Sequence, residues 1–200
     1  MNRKNVPLVK SSRKTNGHEV VDFRWRESVS EAEGMLTFNS GARYSGTVMS
    51  GMFHGNGTFI WPDGSRYEGQ WKNGVPHGTG IMLLADGYRY EGQWENGEAH
   101  GEGRETLPDG GRYSGQWGKG LKNGTGEMIS ADGNKYNGEW ENGMCEGPGV
   151  LLFSDGSKYE GIWKEGSMFG EGVLTATDGT QYRGEWIEGK FTIKQNSNKH

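Results

Sequence analysis

Three histidines recur at one interval: His54, His77 and His100 are each 23 residues from the next. Evenly spaced imidazoles are raw material for a metal centre. Carboxylates gather close by at Glu91, Glu95, Glu102 and Glu105, the residue type of a paired acid–base hydrolase. Cys145 is the one thiol and a candidate nucleophile. Gly101-Glu102-Gly103 has a spacing found in phosphate-cradling loops.

Each of these readings fails on spacing or surroundings. If every 23-residue interval holds two strands, equivalent positions lie roughly 9–10 Å apart. One zinc ion needs its nitrogens at about 2 Å, so the histidines read as loop residues of a repeat. The acids follow the solvent-facing positions of that repeat, where charge keeps a long sheet soluble. The Gly-x-Gly pairs open no helix and lack the following lysine. Glu146, beside Cys145, disfavours a thiolate. The sequence therefore predicts no catalytic residue, no metal and no cofactor, hence a protein that is not an enzyme.

What positions these residues is the repeat itself. A tyrosine returns every 23 residues, at Tyr44, Tyr67, Tyr90, Tyr113, Tyr136, Tyr159 and Tyr182. In the copy Tyr67–Arg89, Tyr67, Gly69 and Trp71 alternate with Glu68 and Gln70, so a strand sends the first set to one face and the second to the other. Asn73-Gly74 is a hairpin-turn signal, because both residues tolerate positive φ. Residues 78–84 return as a second strand, and Asp86-Gly87 turns the chain into the next copy. Glycine weakens a strand; here it leaves room for large rings to lie over the backbone. Phe59, Met82, Met128, Leu151 and Leu174 share one offset on the second strand, with Glu105 interrupting the series. Whichever face that offset takes, it supplies a mostly apolar stripe able to receive a helix.

Composition agrees with an array rather than a deep core. Of 200 residues, 37 are glycine and only 31% are hydrophobic, with eight Trp, eight Tyr and seven Phe carrying much of the apolar load. A single cysteine permits no intrachain disulfide, and no apolar signal or membrane-spanning stretch is evident, which predicts a cytoplasmic protein. The net charge of −4 is uneven. Residues 1–20 hold five cations and one acid, residues 190–200 hold three lysines, and the body 21–189 holds 14 basic and 25 acidic residues, a net of −11. An acidic body is a poor nucleic-acid ligand and is repelled by anionic lipid except at its basic tips.

The expected organisation is a disordered basic tail over 1–20, a degenerate cap over 21–43, six full repeats over 44–181, a partial repeat over 182–189 and a basic tail over 190–200. The cap keeps Trp25, Gly34 and Gly41, and Val48 stands where the Tyr44 repeat should carry its tryptophan. The fold class is all-β: an elongated, twisted antiparallel sheet of stacked hairpins, roughly 65 Å long for about seven repeats.

The pattern Tyr-x-Gly-x-Trp-x-Asn-Gly-x-x-x-Gly-x-Gly, closed by Asp-Gly, resembles the MORN (membrane occupation and recognition nexus) repeat, most clearly at Tyr67–Arg89, Tyr90–Arg112 and Tyr136–Lys158. The resemblance implies a curved ribbon, or half-pipe, with an aromatic-lined groove, and a scaffold role in a cilium, flagellum, axoneme or other part of the cytoskeleton. Its expected groove residues are Tyr67, Trp71, Met82, Tyr90, Trp94, Tyr113, Trp117, Met128, Tyr136, Trp140, Leu151, Tyr159 and Trp163. The expected occupant is a protein partner, as a helix or extended segment. The alternative is recruitment to anionic phospholipid. Similar proteins attach a lipid-kinase or methyltransferase domain; the 20 residues before and about ten after this array leave no room for one.

Overall fold

The computed structural model describes residues 22–23, 31–187 and 190–194. The expected basic tail over 1–20, Trp25 of the cap and the end of the C-terminal tail lie outside them. Among the described residues there are sixteen strands and no helix, so the chain is all-β. It divides at Pro108 into two compact units. Within each, the strands form an antiparallel meander in which every strand pairs only with its sequence neighbours.

The first unit holds β1 (Asp22–Phe23), β2 (Glu31–Thr37), β3 (Arg43–Met49), β4 (Met52–Ile60), β5 (Arg66–Lys72), β6 (Val75–Leu83), β7 (Arg89–Glu95) and β8 (Glu98–Thr106). The second holds β9 (Arg112–Gly118), β10 (Leu121–Ile129), β11 (Lys135–Glu141), β12 (Met144–Leu152), β13 (Lys158–Lys164), β14 (Ser167–Thr175), β15 (Gln181–Ile187) and β16 (Lys190–Ile193).

Two kinds of turn explain the two sequence signals. Between β5 and β6, Asn73 and Gly74 have φ of 51° and 83°, the left-handed pair that matches the twist of a two-residue hairpin. Ser50, Lys119 and Glu165 occupy the first of these positions with φ of 51°, 52° and 49°, so the hairpin imposes the conformation even on residues that disfavour it. The Gly74 amide donates to the Phe53 carbonyl at 2.9 Å, tying this turn to the preceding repeat. The Asp-Gly signal makes a longer loop. Trp61 and Ser65 close it (N–H to O, 2.8 Å), and Gly64 donates back to Trp61 at 3.0 Å with φ of 83°. The Asp63 carboxylate accepts the Ser65 amide at 3.0 Å.

The core is a layer of interlocked rings on one face of each unit. Tyr67 stands edge-on to Trp71 of its own repeat (4.9 Å between centroids) and to Trp94 of the next (5.2 Å). Tyr136 does the same with Trp140 (5.3 Å) and Trp163 (4.9 Å). Such contacts add about 0.5–1.5 kcal/mol each beyond burial. Where Val48 replaces the tryptophan, its cross-strand partner is Phe53, and that ring stacks on Tyr44 at 3.9 Å and meets Trp71 edge-on at 5.2 Å. Elsewhere the tryptophan faces a smaller residue, Pro76 for Trp71 and Ala99 for Trp94. Large and small have changed strands, and the layer stays filled.

At the C-terminal end, Lys190–Ile193 pairs with β15 where the charge pattern predicts a tail. Three lysines hide a strand whose Phe191 packs on Trp186 (5.7 Å) and Tyr159 (6.4 Å).

Candidate partner-binding face

Each residue of Tyr-x-Gly-Gln-Trp has a separate task. From Gly69 to Trp71, β5 advances two residues while its partner β6 advances four, from Gly80 back to Pro76. That bulge, with Gly78 at φ 67°, disrupts the ladder beside Gln70 and leaves backbone groups in need of partners. Gln70 answers twice: its carbonyl accepts the Tyr67 hydroxyl at 2.9 Å, and its side-chain Oε1 accepts the Thr79 amide at 2.9 Å. Gln93 and Gln116 repeat the second bond at 3.0 Å. Burial pushes the Tyr67 and Tyr44 hydroxyls above the ordinary phenol range, so both stay protonated and donate. The Trp71 indole donates to the Gly57 carbonyl at 2.9 Å. Gln70→Ala is expected to cost about 0.5–1.5 kcal/mol and to speed hydrogen exchange at the Thr79 amide; an unchanged exchange rate there would contradict this role.

The glycines between tyrosine and tryptophan pair with glycines of the second strand: Gly69 and Gly92 flank Gly80 from either side. They form a column without side chains. On the ring face that space belongs to tyrosine: a Cβ on Gly80 would strike the Tyr67 hydroxyl, with the ring's Cζ at 2.6 Å.

The two faces are therefore unlike. Tyr67, Trp71, Tyr90 and Trp94 in the first unit, and Tyr113, Trp117, Tyr136, Trp140, Tyr159 and Trp163 in the second, are all buried. Met82, Met128 and Leu151 lie among them, half-buried, because each is paired with tyrosines of its unit: Met82 with Tyr67 and Tyr90, for example. These residues are brought together as a core, their rings buried against one another. The open cleft in the first unit, of about 800 Å³, is on the other face. It crosses β4–β8, its floor is the glycine column, and its walls include Glu68, Gln70, Thr79, Ile81, Glu91 and Gln93. In the second unit a recess of about 300 Å³ takes in Trp140 together with Thr125, Glu139 and Glu146.

Strand alternation sends Glu68 and Gln70 to this open face, but their polarity alone suggests solvation. The signal that marks more is the glutamine three residues after tyrosine in three successive repeats, Gln70, Gln93 and Gln116.

The chemical candidates fall into place on the same frame. His54, His77 and His100 are strand residues beside the bulges, not loop residues; His54 pairs with Thr47 and His100 with Gln93. Among the described residues no group of three or more His, Cys, Asp or Glu is arranged to hold a metal ion. Cys145 is opposite Trp140, and burial pushes its thiol pKa up. Glu105 is buried and accepts a hydrogen bond from Tyr88, which is how a carboxylate enters the apolar stripe.

A meander of two-strand repeats, welded by shared rings and leaving its other face open, defines an antiparallel repeat protein of the solenoid type, in which each repeat contacts its neighbours. The chain belongs to the MORN repeat family: the model of that repeat matches residues 44–66, 67–87, 90–112, 113–135, 136–158, 159–181 and 182–192. No curated protein matches it. Among solved structures, it is similar to the TCP domain of SAS-4 (dCPAP) of Drosophila melanogaster, in complex with a proline-rich motif of Ana2, at 12% identity and TM-score 0.49, covering 88% of this chain and 98% of that one. The TCP10 domain of Danio rerio CPAP aligns at 17% identity and TM-score 0.37, covering 76% and 82%. Neither likeness is close enough to carry a function across.

Proposed function

We propose that the protein is a non-catalytic scaffold that holds a protein partner against the open face of its sheet, in a ciliary, flagellar or other cytoskeletal assembly. One observation carries this reading: the core lies on the ring face, while the opposite face of the first unit presents a cleft of about 800 Å³ whose walls pack no core. On the corresponding face of the second unit, Ile162 and Phe169 are cross-strand neighbours, 42% and 52% exposed. The Lys164 ammonium lies 5.3 Å from the Phe169 ring centre. Exposed apolar side chains over an acidic body fit a protein surface better than anionic lipid. Arg66 and Arg89 each stand beside a carboxylate, Glu68 at 3.5 Å and Glu91 at 2.7 Å, so these pairs add no net positive charge to attract anionic lipid.

Ile81, in the cleft wall, provides the test. Ile81→Arg should keep the fold, read by circular dichroism, and lose at least about tenfold in retention of the partner captured by the full chain. Undiminished capture would refute the reading. Flotation of the chain with phosphoinositide vesicles at physiological salt would replace it with the lipid one.

A further inference from the structure

We propose that the cleft of the first unit takes an extended, cationic segment of its partner in the polyproline II conformation, with Arg or Lys at every third residue. This rests on the open face being the partner surface. The lining contains Glu68, Glu91 and Glu102 and no lysine or arginine, so the charge it seeks is positive. Arg66 and Arg89 approach Glu68 and Glu91 from outside the lining, and both pairs are about half-exposed, where an ion pair is exchanged at little cost. Arg104 pairs opposite Glu91 across the β7–β8 ladder and is also outside the lining.

Geometry selects the conformation. Glu68 and Glu91 occupy the same offset on β5 and β7, two strands apart, which is about 9.4–9.8 Å. A polyproline II chain laid across the strands advances about 3.1 Å per residue with three residues per turn, so side chains i and i+3 point the same way about 9.3 Å apart. A β-strand repeats its facing at about 6.6–6.8 Å and an α-helix at about 5.4 Å, and neither keeps step with the carboxylates.

A second pair of groups has the same interval. The Oε1 atoms of Gln70 and Gln93 are held by the Thr79 and Glu102 amides, which leaves their NH₂ groups as donors to a ligand. A polyproline II chain has no internal hydrogen bonds and presents its carbonyls to the surroundings. The floor beneath is Gly57, Gly69, Gly80 and Gly92, so the backbone of a ligand can approach the sheet closely. Carboxylates for the side chains and amide donors for the carbonyls, both at a two-strand step, amount to a reader of three-residue periodicity.

The test compares two fluorescent peptides of equal charge, Arg-Pro-Pro and Arg-Pro-Pro-Pro each repeated four times, by anisotropy with the full chain at physiological salt. The three-residue repeat is expected to bind about tenfold more tightly, and E68Q/E91Q should abolish that preference. Gln70 and Gln93 stay untouched in that variant, and because both glutamates are exposed it should fold normally. Equal binding of the two peptides, or a preference that survives E68Q/E91Q, would overturn the proposal. If the captured partner is lost on Ile81→Arg while the peptides are not distinguished, this inference falls and the scaffold reading stands. If capture also survives Ile81→Arg, both fall.

Discussion

Trp94→Ala is expected to destabilise the protein by about 3–5 kcal/mol, measured as a shift in urea-unfolding midpoint at unchanged slope. The ring is buried between two tyrosines, 5.2 Å from Tyr67 and 5.0 Å from Tyr90. Its removal opens a cavity shared by two repeats and leaves the Gly80 carbonyl without the indole donor it now has at 3.0 Å. Neither tyrosine can move to fill the space, since each is held by its hydroxyl to a carbonyl of its own strand opposite the bulge, Gln70 and Gln93, at 2.9 Å. A loss below about 1 kcal/mol would mean that the ladder relaxes around the gap and that the rings do not act as a locked series.

Gly69→Ala should cost about 3 kcal/mol or more, although the position is on a strand, where alanine ordinarily gains over glycine. The added methyl would meet backbone rather than a flexible side chain: Thr79 O at 2.5 Å, Gly80 Cα closer still, and the Tyr67 hydroxyl at 2.8 Å. Relief would require the β5–β6 pair to separate. Gly87→Ala is the control. That glycine has φ of 93°, and a methyl added there would meet nothing within 4 Å, so only backbone strain of about 1–2 kcal/mol applies. Thermal or urea unfolding of both variants separates contact from conformation. Equal losses would show that the glycine column is kept for backbone freedom and not for the tyrosine ring.

Much of this fold is written locally. The 23-residue tyrosine register, Asn73-Gly74 and Asp86-Gly87 each specify backbone geometry within a few residues, so strands and turns follow from reading along the chain. Alternation also separates Tyr67 from Glu68. What alternation lacks is knowledge of which face the neighbouring repeats will cover, and so it does not tell that the rings expected along a groove are buried against one another. The bulge at His77–Thr79 escapes for a related reason. Gly78 looks like any strand glycine until its partner is known, and the partner depends on the register between β5 and β6. The Val48–Phe53 exchange is equally invisible before pairing, since the two positions match only across the β3–β4 ladder. In β16, positive charge outweighs the alternation of Phe191 and Ile193, because composition describes a segment's affinity for water and not the ring it has to cover.

The division between the two faces also bears on how such a chain changes over generations. Positions that decide whether the protein holds together and positions that decide what it grips are largely separate sets, meeting at Gln70, Gln93 and the glycines of the cleft floor. Substitution at residues such as 68, 81 and 91 can therefore retune selectivity without passing through an unstable ancestor, and duplication of one 23-residue module lengthens the reading frame by one step while leaving every existing step intact.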